Sequence, residues 1–268
     1  MKLRYAGLIT VIALWFALMS GLAKAVDLEP NCIAQWMMND AAASTVVVDS
    51  QGFSNGTSVR DTCDMATEGK VGGAMVFNGT SDYIDTNNSF QTIWQNSFSI
   101  NLWVKVYDGR GLLQFLFSAY SSVLPGNEVT YFIGSDGKIG GVYIANGPSL
   151  DITENNPSFT DGQNDWKMVT IIVTQMTPTI AALVLYVNGS LRAEVSGDVI
   201  LADYTSSLNP FIGAMNDDDT PVSFFKGALD NVMIFNKALS TDEIAFLYNG
   251  GAGTEELNYN KKVLMRKN

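Results

Sequence analysis

The sequence predicts an all-β fold, an antiparallel β-sandwich of the jelly-roll kind with one short C-terminal helix. Three observations predict it. Many short apolar runs are separated by turns rich in Gly, Asn, Asp and Ser. Phe98–Tyr107 alternates with period two. Phe98, Ile100, Leu102, Val104 and Val106 point one way; Ser99, Asn101, Trp103, Lys105 and Tyr107 point the other. Near the end, residues 224–250 read as a strand, a tight connection and a helix. No repeat of fixed period suggests a propeller or solenoid.

In chain order, residues 1–25 read as a secretory signal peptide. Lys2 and Arg4 form a basic start, Tyr5–Ala23 is uncharged and mostly apolar, and Ala23-Lys24-Ala25 is a small-x-small cleavage site. A retained membrane anchor is the alternative. After cleavage, 13 basic and 27 acidic side chains remain, a net charge of −14. That charge disfavours nucleic acid and anionic membranes as partners. No later segment approaches membrane-spanning length. The chain is therefore expected to be secreted, periplasmic or at the cell surface, with residues 26–250 as one domain and 251–268 as a frayed polar tail. Cys32 and Cys63 are the only cysteines, and in an exported chain they are expected to pair as a disulfide. In the chain-entropy model such a loop stabilises by roughly 3–4 kcal/mol.

Cys32–Met38 reads as the first strand, and 49–57 as turn chemistry. Gly73–Phe77 and Asp82–Thr86 flank the Asn78-Gly79 turn. After Phe98–Tyr107 come Leu112–Tyr120 and Val129–Gly134, then a hairpin over Asp136-Gly137 into Lys138–Ile144. Residues 145–163 read as a long surface loop. Trp166–Gln175 precedes a hairpin of Ile180–Val187 and Ser190–Val195 across Asn188-Gly189. Asn209–Ala214 precedes an acidic loop, Asn216–Asp219. In Leu229–Phe235 both parities are apolar, which suits a strand covered on both faces. By counting, Asp230 shares its parity with Val232 and Ile234, where a carboxylate needs hydrogen bonds or a cation. Ser240 and Glu243 form a capping box, and Gly250 ends the helix.

Function is narrowed first by exclusion. The chain has no histidine, which removes Ser-His-Asp and Cys-His catalysis and imidazole zinc sites. Glu128, Glu154 and Glu194 are isolated in sequence, so no glycosidase-like carboxylate cluster is visible and no enzyme is predicted. The polar parity of Phe98–Tyr107 gives the candidate ligand face: Asn101, Trp103, Lys105 and Tyr107, set against a plain solvated sheet face. Asp217–Asp219 reads as a second cation loop or as a solvated turn. Asn55, Asn78, Asn87 and Asn188 lie in Asn-x-Ser/Thr sequons that also make good turns.

Four stretches, in order, carry a family likeness. They are Trp36 with Asn39-Asp40 and the Asp49–Gly56 turn; Ala74–Ile84; Phe98–Lys105; and Phe225–Phe235 running into the Leu239–Tyr248 helix. Asp165-Trp166 and Leu185–Gly189 add to them. Over about residues 30–250 the chain resembles the laminin-G-like, concanavalin A-like lectin-glucanase jelly rolls. One departure is Lys167-Met168 after the tryptophan, where the family often carries histidine. The resemblance implies recognition of glycans, proteins or cell surfaces, with carbohydrate first, an adhesion or structural role second and glycan hydrolysis third. It also implies a structural Ca2+ linking the N-terminal region to the last strand, with Asp230 as ligand beside Asn39 or Asp40.

Overall fold

The computed structural model describes residues 26–107, 111–123, 126–160 and 165–260. The signal peptide and the end of the expected tail lie outside these. Two mostly antiparallel sheets stack face to face. The first, of eight strands, runs β14 (Ser190–Gly197), β13 (Ala181–Val187), β12 (Lys167–Gln175), β7 (Phe98–Val106), β18 (Lys226–Phe235), β5 (Gly73–Asn78) and β4 (Ala66–Glu68). Its eighth strand, β1 (Cys32–Trp36), also pairs with β18. The second, of ten, runs β11 (Ser149–Thr153), β10 (Ile139–Ile144), β9 (Asn127–Ile133), β8 (Gln114–Ser121), β15 (Phe211–Ile212), β6 (Ile84–Asp85), β3 (Gly56–Ser58) and β2 (Val46–Val47). The hairpin of β16 (Met215–Asp217) and β17 (Thr220–Val222) hangs from β8, and β16 with β8 is the one parallel pairing among the described residues.

The main core lies between the sheets. The predicted inward set of β7, from Phe98 to Val106, is buried there against Leu116, Phe117, Val129 and Tyr131. Trp94 packs edge-on to Phe90, Phe98 and Phe117. Two four-residue helices that carry no periodic pattern, α1 (Thr62–Met65) and α2 (Gln91–Trp94), connect strands. Residues 145–163 are not all loop, because Ser149–Thr153 adds strand β11 to the sheet edge. Its alternation is clear: Leu150 and Ile152 are buried, and Ser149, Asp151 and Thr153 are exposed.

A second apolar layer covers the outer face of the eight-stranded sheet. Helix α3 (Thr241–Tyr248) starts at the predicted capping box: Ser240 Oγ accepts from the Glu243 amide, and Glu243 Oε2 accepts from the Ser240 amide. It ends at Asn249, which takes the left-handed conformation with φ 51°. Ile244, Phe246 and Leu247 then bury Met233, Phe235, Trp103 and Met168. Residues 251–260 do not fray. Leu257 is buried in the same layer, the Leu28 amide donates to the Leu257 carbonyl at 2.7 Å, and the Tyr259 amide donates to Val26 at 2.9 Å. The described start and end of the chain are thus laced together.

The expected disulfide does not form. Cys32 lies buried in the outer apolar layer, whereas Cys63 sits exposed on α1. Packing assigns one to the interior and the other to solvent, and burial pushes the Cys32 thiol well above its ordinary pKa.

Candidate functional site

The ligand face expected on β7 reaches the surface only at its end. Ser99, Asn101 and Trp103 are buried, because α3 lies over them. Trp103 stacks on Tyr248 with ring centres 5.9 Å apart, and Lys70 Nζ sits 5.2 Å over its ring. Asn101 Oδ1 accepts from Thr170 Oγ1 at 2.7 Å. At the strand end Lys105 is half-buried and Tyr107 is exposed, with the Lys105 ammonium 5.9 Å from the Tyr107 ring. The four residues therefore divide between interior and rim.

Asp230 is buried as the sequence requires, but on the other face. Strand β18 changes its outer neighbour partway along, from β5 at Lys226–Leu229 to β1 at Val232–Phe235. A bulge at this change puts Asn231 at φ 50° and reverses the side-chain parity beyond it. Leu229 thus joins Val232 and Ile234 in the core, and Asp230 lies opposite Trp103 on the helix side. Polar groups fill the gap. Asp230 Oδ2 accepts from the Lys70 and Val71 amides at 2.7 and 2.9 Å. Asn231 Oδ1 accepts from Gln35 Nε2 at 3.0 Å, and Asn231 Nδ2 donates to the Thr254 carbonyl at 2.8 Å.

The loop over Asp230 needs glycine. A Cβ on Gly69 would fall 2.1 Å from the Gly73 carbonyl oxygen and 2.9 Å from Asp230 Oδ2. Asn39 reaches the same loop, accepting from the Gly73 amide and donating to Glu255 Oε1 at 2.8 Å. Asp230 Oδ1 is buried with no hydrogen-bond partner. Burial, with the Glu255 charge adding, pushes the Asp230 carboxyl up to about 7. Asp40 turns elsewhere and accepts from the Val48 amide at 3.2 Å.

A second feature is a groove of about 570 Å3 at one end of the ten-stranded sheet. Its sides come from Ser121, Val123 and Asn127, from residues 205–208 and from the tip of the β16–β17 hairpin. Asparagines hold these segments in place. Asn127 Oδ1 accepts from the Thr205 amide at 2.9 Å, and Asn216 Oδ1 accepts from the Asp219 amide at 2.7 Å. Asp218 accepts from the amide and hydroxyl of Ser122, which hold its carboxyl below the usual range. The acidic loop of the sequence is therefore one wall of a groove. Tyr120 is half-buried, opposite Glu128 and paired with Asp217, while Tyr204 is core.

The glutamates that are isolated in sequence also occupy separate places. Glu128 is on β9, raised by burial, and Glu194 is on the edge strand β14. Glu154 is spent on structure, accepting from the Ile139 and Ser158 amides and the Ser158 hydroxyl. Among the described residues no group of three His, Cys, Asp or Glu side chains could hold a metal ion.

Two stacked, mostly antiparallel sheets with a helix over one outer face define a lectin-like jelly roll. The family model described as the Concanavalin A-like lectin/glucanases superfamily matches residues 78–245, and the chain belongs to that superfamily. None of the curated proteins compared matches it. Among solved structures it is similar to domain 4 of AbnA, a GH43 extracellular arabinanase from Geobacillus stearothermophilus, in complex with arabinotriose. There the identity is 18%, the TM-score 0.59, and the match covers 84% of this chain and 98% of that one. It is similar to the Ruminococcus gnavus IT-sialidase CBM40, at 16% identity and TM-score 0.51, covering 65% of this chain and 95% of that one. A W1252A mutant of HCR D/C VPI 5995 matches at 15% identity and TM-score 0.61, covering 85% of this chain and 53% of that one. At these identities the likeness is one of fold.

Proposed function

We propose that the protein is a secreted, non-catalytic recognition domain whose ligand is carbohydrate. Membership of a lectin and glucanase superfamily supports the class of function. The observation that carries the reading is the polar groove, held open by Asn127 and Asn216 and walled by hydroxyls and carboxylates. Such a surface matches the hydroxyl groups of a sugar, and pockets of this size hold small ligands. Of two fold relatives, one is a domain in complex with arabinotriose and the other a sialidase CBM40. A glycan array tests the reading. Retention of one sugar class supports it; retention only on a cell-surface protein favours adhesion instead.

We also propose a structural Ca2+ beside Asp230. Its Oδ1 is a buried oxygen with no donor, which is costly in an apolar layer. The Asp230 and Glu255 carboxylates and the Asn39 amide oxygen are the hard oxygen donors such an ion takes. Bound there, it would neutralise the buried charge and tie the N-terminal strand to the last strand and to the segment after α3. Chelator is expected to lower the melting temperature and Ca2+ to restore it. At a concentration about 100 times its Kd the ion would add roughly 2.7 kcal/mol. A melting temperature indifferent to chelator removes this part of the proposal.

A further inference from the structure

We propose that the groove at the β8–β9 end is the sugar subsite and that it takes an uncharged glycan while rejecting acidic ones, an inference that rests on the carbohydrate reading above. Ser121, Thr205, Ser207, Asp218 and Asp219, with Val123 and Leu208, line a volume of about 570 Å3. Carboxylates accept strongly from sugar hydroxyls and suit neighbouring pairs of them. Ser122 already occupies Asp218, so Asp219, exposed at the hairpin tip, is the freer acceptor.

The wall opposite is built to hold its shape. Asn127 is buried and makes two bonds to Thr205, from its Oδ1 and its Nδ2. Directly before Thr205, the Tyr204 hydroxyl is buried in the core with no hydrogen-bond partner. A buried hydroxyl left in that state is costly.

The same walls decide against acidic sugars. No Lys or Arg is among the described residues lining the groove, and two acids are. The domain after residue 25 is also strongly acidic as a whole. A sialic or uronic acid carboxylate placed here would meet like charge and no cation.

The experiment is titration calorimetry on the full mature chain with four probes: arabinotriose, cellotriose, sialyllactose and trigalacturonic acid. The expected result is measurable binding of a neutral probe, at least tenfold tighter than either acidic one. Asp219→Asn is expected to weaken it about tenfold, as loss of a charged hydrogen bond does. Ser207→Arg, at an exposed position, is expected to abolish it while the melting temperature holds. Tighter binding of an acidic probe overturns the inference. So does neutral binding that neither variant alters, which leaves the carbohydrate reading standing. Binding of none of the four probes overturns the inference, and a blank glycan array alongside it sinks the carbohydrate reading as well.

Discussion

At the scale of single residues, Asp230 shows how burial turns one carboxylate into a conditional liability. Without a cation its pKa rises from 3.8 to about 7 in the fold. Between roughly pH 4 and 7 the folded state keeps a proton that the unfolded chain has released, so stability falls as pH rises through that window and levels off above it. In chelator, Asp230→Asn should therefore gain on the parent between pH 5 and pH 8, as read by thermal melts. In Ca2+ the order should reverse under the proposed site, since only the parent would keep the carboxylate that holds the ion. A parent whose melting temperature is flat across that window would contradict the assignment. Trp103 makes the opposite case. Stacked on Tyr248 under α3, it is a packing residue. Trp103→Ala should cost about 3–5 kcal/mol in urea unfolding, far more than the loss of an exposed sugar-stacking ring would.

At the scale of elements, the last strand and helix were the most legible part of the chain. The capping box and the apolar parities of Leu229–Phe235 are both local patterns. Ser240→Ala should cost about 1 kcal/mol, seen as a lower denaturation midpoint with an unchanged slope. The bulge at Asn231 was not legible, since counting parity assumes an unbroken strand. It exists because β18 must pair first with β5 and then with β1, a requirement set by distant segments. The misplaced ligand face had a clue in the sequence. β18 is apolar on both parities, so its sheet is covered on both faces. β7 pairs with β18, so Trp103 and Asn101 share that cover. The pairing itself, across more than 120 residues, was the missing piece.

At the scale of the whole molecule, the two cysteines test the layered architecture directly. Thiol titration should find one accessible thiol in the native protein and a second only after unfolding, and reductant should leave the melting temperature unchanged. A thiol count of zero would require a bond that the separation of Cys32 and Cys63 between interior and surface does not allow. The closing segment 251–260 carries the same lesson. Its polar composition suggested fraying, yet Leu257 and the backbone pairing with Val26 and Leu28 seat it in the outer layer.

By itself the sequence determined the class of fold, the inward face of β7, the main hairpins and the capped helix. Each depends on residues adjacent in the chain, where side-chain period and turn chemistry act directly. It also required a buried Asp230, because a carboxylate amid apolar neighbours needs partners wherever it falls. Tertiary structure alone decided which face that acid meets, which cysteine is hidden, and that the Asp217–Asp219 loop becomes the wall of a groove. Those outcomes depend on which strand lies beside which and on what covers a sheet. They follow from packing between segments far apart in sequence, which no local pattern encodes.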